Sequence, residues 1–170
     1  VIFGISMILI YATSATCHMI ISSVRVINFL QRLGHGMIFI LIAGSYTPFC
    51  LIALNGWSGW VLFFVIIAIA ICGITFKMAW FNCPRILSTS IYIIMGWMAI
   101  FVFKPLLASL SATGLSLLIA GGILYTVGGI IYALKPKCLE FKYLGFHEIF
   151  HIFILLGSLC HFLCIYLFVI

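Results

Sequence analysis

The amino-acid sequence predicts an all-α fold, a polytopic bundle of transmembrane helices. Three observations carry this. First, 66% of the 170 residues are apolar and 6% are charged, where an average soluble domain has about 25% charged residues. Mean hydropathy is +1.42. So little polar surface does not cover a soluble globule, and disorder requires low hydrophobicity. Second, six apolar runs reach the length of about 20 residues that a helix needs to cross a bilayer. Third, these runs lack the alternation over about ten residues that marks barrel strands. The length predicts a single domain, residues 1–170. The eight basic residues stand against two acidic ones, for a net charge of +6. They sit singly or in pairs between apolar runs rather than on one face, which excludes a nucleic-acid binder.

The first run, residues 1–21, is apolar from its first residue. No basic segment or small-residue cleavage site precedes it, so it is not read as a signal peptide. The second run, 35–54, carries Ser45, Thr47 and Pro48 near its end, which predicts a kink. Asn55 and Gly56 separate it from the third run, 57–76. The fourth is 86–103. The fifth, 114–134, places Gly114, Gly121 and Gly128 seven residues apart with Gly122 and Gly129 beside them. Small residues let membrane helices approach closely, so this stripe reads as a packing seam. It is not a phosphate loop, because no strand precedes it. The sixth run is 146–170.

Basic residues in short loops set orientation. The first, third and fifth loops carry Arg25, Arg32, Lys77, Arg85, Lys135, Lys137 and Lys142, and the even loops carry only Lys104. Odd loops are therefore expected in the cytoplasm and both ends of the chain outside, which calls for one more helix before Val1. The seven cysteines are odd in number, contain no CxxC, and lie mostly inside apolar runs. They read as packing residues rather than as a disulfide framework.

Within such helices an ionisable residue is costly and is a functional hypothesis by default. His147 and His151 are spaced i, i+4 on one helix face, so two imidazoles reach one metal ion. His18, with Ser14 one turn before it, ends the first run. The loop charges place its end at the same membrane level as His147 and His151. Three such ligands with an open fourth position match a catalytic zinc site; the bland alternative is three interfacial histidines. His147-Glu-Ile-Phe-His151 also spells HExxH, in which Glu148 would be the general base; charge pairing with Lys142 is its structural alternative. His35 reads as an interfacial or supporting group. His161 lies about 15 Å along the helix from His151, at 1.5 Å per residue, and reads as a buried polar contact.

Ser14-Ala-Thr-Cys-His18, Leu41-Ile-Ala-Gly-Ser-Tyr-Thr-Pro-Phe49, Met95-Gly-Trp97, Gly121-Gly-Ile-Leu-Tyr-Thr-Val-Gly128 and His147-Glu-Ile-Phe-His151 occur in this order. Together they resemble the hemolysin III family, within the progestin and adipoQ receptor group. The resemblance spans essentially the whole chain. It implies a seven-helix fold of which helices two to seven are present here, with an outside C-terminus. It also implies Zn2+ held by His18, His147 and His151 near the cytoplasmic leaflet, with Ser14 beside them. The family pattern has an Asp in a Leu-Asp-His context where this chain reads Leu33-Gly34-His35.

The resemblance further implies a multi-pass protein of the plasma membrane that acts on membrane lipids, through ceramidase-like hydrolysis of lipid amides. A non-catalytic sensor or fluidity-homeostasis protein is the alternative that Gly34 favours. A cytolysin is the lesser one, because a toxin must travel through water. An intramembrane protease would need an Asp ligand, and the sequence contains no Asp.

Overall fold

The computed structural model describes residues 1–54, 56–80, 83–136, 139 and 145–170. Asn55, Lys137, Cys138 and Lys142, which the sequence places in loops, lie outside the described residues. The helices are α1 (Ile2–Met19), α2 (Val24–Pro48), α3 (Trp57–Ala79), α4 (Arg85–Gly96), α5 (Phe103–Ser109), α6 (Ala112–Leu134) and α7 (Phe146–Phe168). A π-helical turn, Phe49–Ala53, prolongs α2, and a 3-10 segment, Trp97–Val102, joins α4 to α5. The described residues contain no strand. Among the described residues six stretches are long and apolar enough to cross a membrane: α1, Val24–Ala53, α3, Arg85–Ser109, α6 and α7.

Two boundaries differ from the sequence reading. Helix α2 starts at Val24 rather than near residue 35, so Arg25 and Arg32 are helical. Apolarity locates the hydrocarbon layer, not the helix end, and a helix continues where its polar side chains reach water. Lys104 likewise lies in α5 rather than in a loop. Pro105, beside it, is tolerated because the first turn needs no internal N–H donor.

The expected disturbance at Pro48 takes the form of the π turn. Pro48 has no N–H to give to the carbonyl one turn back. The Leu54 N–H then donates to the Phe49 carbonyl at 2.8 Å, one residue beyond the α register. The break after α4 is satisfied from outside. The Tyr46 hydroxyl donates to the Gly96 carbonyl at 2.6 Å and accepts the Ala99 N–H at 2.9 Å. Non-helical backbone at membrane depth is tolerated when protein groups satisfy it in this way.

The glycine stripe of α6 is a packing seam, as expected, and the helix it faces is α7. A Cβ at Gly114 would stand 3.0 Å from the Phe168 Cβ, and one at Gly128 would stand 3.0 Å from the Phe153 Cβ. At Gly121 it would overlap the His161 ring. Gly129 instead faces Thr89 and Ile93 of α4. Helix α1 lies along α2, where a Cβ at Gly44 would be 2.5 Å from the Ser6 Oγ. Phe39, Ile66, Met95 and Leu106 fill the buried core between α2, α3 and the α4–α5 span. The described cysteines are free thiols.

Candidate metal centre

The start of α7 positions two of the three candidate ligands. Gly145 is the N-cap, and the Glu148 carboxylate three residues on accepts the Gly145 N–H at 2.8 Å. Such a bond satisfies a backbone donor that the first turn leaves orphaned. Helix α7 therefore begins at Phe146, with His147 and His151 on successive turns of one face. The His18 ring comes from the last turn of α1. Its centroid lies 5.4 Å from that of His147 and 5.8 Å from that of His151. The Nε2 atoms of His147 and His151 are 3.1 Å apart. One nitrogen from each of the three rings lies within 4.8 Å of the others. A tetrahedral zinc ion with Zn–N bonds of about 2.0–2.1 Å sets its nitrogens about 3.4 Å apart. Small rotamer adjustments bring the three rings to that spacing, so the donor set fits a metal ion.

These rings border a cavity of about 250 Å³ that also takes in Ser14, Gly34 and His35. Ser14 stands on its wall one turn before His18. The Nδ1–H of His35 donates to the Gln31 carbonyl at 2.6 Å. Its Nε2 is then the acceptor for the Tyr132 hydroxyl at 3.4 Å. The Tyr132 ring in turn lies 6.4 Å from that of His147, centroid to centroid. His35 is thus a supporting group one residue removed from the ligands. His161 donates from Nε2 to the Leu118 carbonyl at 3.3 Å, the buried polar contact its position suggests.

The remaining site residues are not all brought to the cavity. Glu148 is exposed, with its carboxylate on the helix end. A Cβ at Gly34 would meet no atom within 4 Å, so a side chain there would enter open space at the cavity wall. No carboxylate among the described residues lines the cavity. The sequence reading missed Tyr11, Tyr125, Tyr132 and Thr89, all on the wall. For Tyr11 a signal existed: it precedes His18 by two turns on the same face. Tyr132 has none, because it meets His35 only across the cavity that α6 and α2 both line.

Six membrane-length stretches among the described residues, with a cavity that ends in three imidazoles, define a multi-pass integral membrane protein with a candidate metal centre. Comparison with known proteins narrows the class. The family described as Haemolysin-III related matches residues 1–162. The chain is 43% identical to the Hemolysin-3 homolog of Bacillus subtilis (strain 168) over 164 residues, 96% of this chain and 74% of that protein. It is also 43% identical to Hemolysin-3 of Bacillus cereus over 168 residues, 99% of this chain and 74% of that protein. The chain belongs to the hemolysin III family. No solved structure matches it.

Proposed function

We propose that this protein is a zinc-dependent hydrolase of lipid amides, ceramidase-like, acting in the plasma membrane on lipids that stay within the bilayer. The convergence of His18, His147 and His151 on one cavity carries the reading. When bound, zinc supplies Lewis-acid polarisation of a carbonyl and an activated water at neutral pH. His18, His147 and His151 would hold it at the end of the cavity. The Tyr132–His35 pair fixes the wall beside His147. The apolar span of the helices brings an acyl chain to the site without passage through water.

A specific observation favours the alternative, a non-catalytic sensor or fluidity-homeostasis protein. Glu148 is bonded to the Gly145 N–H, and Gly34 offers no side chain, so the described wall has no carboxylate to take a proton. In that reading metal only ties α1 to α7. The first test is elemental analysis of detergent-purified protein with His147→Ala and His151→Ala beside it. About one zinc per chain in the wild type, lost in both variants, supports the centre; well-folded protein without metal overturns it. The second test is fatty-acid release from ceramide in proteoliposomes by wild type and Gly34→Asp. Metal-dependent release by either supports the hydrolase. Metal-loaded proteins that both leave ceramide intact favour the sensor.

A further inference from the structure

Two helical turns from the metal centre the same cavity has a second polar pole. The Tyr11 hydroxyl of α1 donates to Ser158 Oγ of α7 at 2.8 Å. Tyr125 of α6 brings its hydroxyl to the same oxygen, also at 2.8 Å. Tyr11 and Tyr125 line the cavity, and Ser158 is buried behind them. Position and register agree on the two helices. Tyr11 precedes His18 by seven residues and Ser158 follows His151 by seven, which is about 10 Å along each axis at 1.5 Å per residue.

Hydrogen counting shows that the cluster is incomplete. Three hydroxyls bring three O–H donors, and the cluster contains two hydrogen bonds. Tyr11 uses its proton on Ser158. If Ser158 gives its proton to Tyr125, the Tyr125 proton is left over; if Tyr125 donates, the Ser158 proton is. Either way one O–H lacks an acceptor among the described residues. Two further atoms on the same wall are buried without a partner: the Thr89 Oγ1 and the His161 Nδ1. The His161 ring packs edge-on against Tyr125 at 5.2 Å between centroids. Buried polar groups left unpaired at low dielectric are costly, and a bound water, ion or ligand polar group is one thing that satisfies them.

We propose that Tyr11, Tyr125 and Ser158, backed by His161, form a second binding subsite that takes the oxygen of a hydroxyl group on a lipid chain. The ligand class is an acyl lipid whose polar head sits at the three histidines and whose chain carries a hydroxyl farther along. The hydroxyl oxygen accepts the spare O–H of the cluster. The subsite rests on the metal-centre reading only for where the head lies. The hydrogen-bond deficit exists without it.

The test is equilibrium binding of octadecanoate and of hydroxyoctadecanoates, with the hydroxyl near the carboxylate, at mid-chain or near the methyl end. Trp97, on the cavity wall, reports binding through its intrinsic fluorescence. The proteins are detergent-purified wild type, Tyr125→Phe, Ser158→Ala and the metal-site variant His151→Ala. The mid-chain hydroxyl is expected to tighten wild-type binding about three- to tenfold, the worth of one net hydrogen bond. That preference, read within each protein as the affinity ratio of the mid-chain hydroxy lipid to plain octadecanoate, disappears in Tyr125→Phe and Ser158→Ala. Equal wild-type affinity for all four lipids, failure of any to bind, or an undiminished preference in both cluster variants overturns the subsite. His151→Ala separates the two readings. A mid-chain preference that survives there, with overall affinity unchanged, upholds the subsite and removes the head from the metal centre. A metal-bound wild type without preference leaves the centre standing and removes the subsite.

Discussion

Glu148 stands between both candidate ligands in sequence, yet its carboxylate faces the backbone of its own helix end rather than the cavity. Its contribution to the site is then positional: it fixes where α7 begins and so where the His147 and His151 rings emerge. A Glu148→Gln variant keeps a side chain that can accept the Gly145 N–H. It is expected to retain wild-type zinc content in elemental analysis and wild-type turnover in any ceramide assay. A loss of turnover at full metal content would instead make Glu148 the base. Tyr46 shows the opposite dependence, because its hydroxyl bonds two backbone groups at the break after α4. Tyr46→Phe leaves the Gly96 carbonyl and the Ala99 N–H without it. The expected cost is about 1–3 kcal/mol, read as a lower midpoint of thermal unfolding in detergent.

At the scale of the helix, adjacent glycines of α6 have different duties. Gly121 meets the His161 ring of α7, whereas a Cβ at Gly122 meets nothing within 4 Å. Gly121→Ala therefore forces either the ring or the helix to move, at a cost of about 1–3 kcal/mol for overpacking. Gly122→Ala gains helix propensity and is expected to be neutral or slightly stabilising. Thermal unfolding of the two variants side by side checks this, and equal midpoints would mean that the seam is loose. The seven-residue spacing made the seam legible in the sequence, because periodicity within one helix is a local property. It did not reveal that a histidine fills the notch at Gly121, since that pairing depends on the relative height of α6 and α7.

Across the whole molecule, α1 lies along α2 and α7 along α6, and the described polar links between α1 and α7 are side chains. One is the Tyr11–Ser158 hydrogen bond; the other is the histidine cluster. A metal ion held there would cross-link the first and last helices. Ligand binding to the folded state stabilises it by about 2.7 kcal/mol at a hundredfold excess over Kd. Chelation is expected to lower the unfolding midpoint of wild type and to leave that of His151→Ala unchanged. In hydrogen exchange, protection should fall first in α1 and the start of α7, and later in α3, whose Ile66 is fully buried in the core. Uniform loss across all helices would mean that the metal does not join these two in particular.

The sequence by itself determined the membrane class, the number of spans, the α6 seam and the paired imidazoles of α7. Each of these depends on composition or on periodicity inside one helix. Loop charges also placed His18 at the level of that pair, but height in a bundle is not contact. Only the tertiary structure brought the His18 ring beside His147 and His151, turned Glu148 away from them, and joined Tyr11, Tyr125 and Ser158 from three helices. The physical reason is that apolar faces are interchangeable in a lipid-like medium. Which helices become neighbours is decided by close packing at small residues and by polar side chains that must find partners.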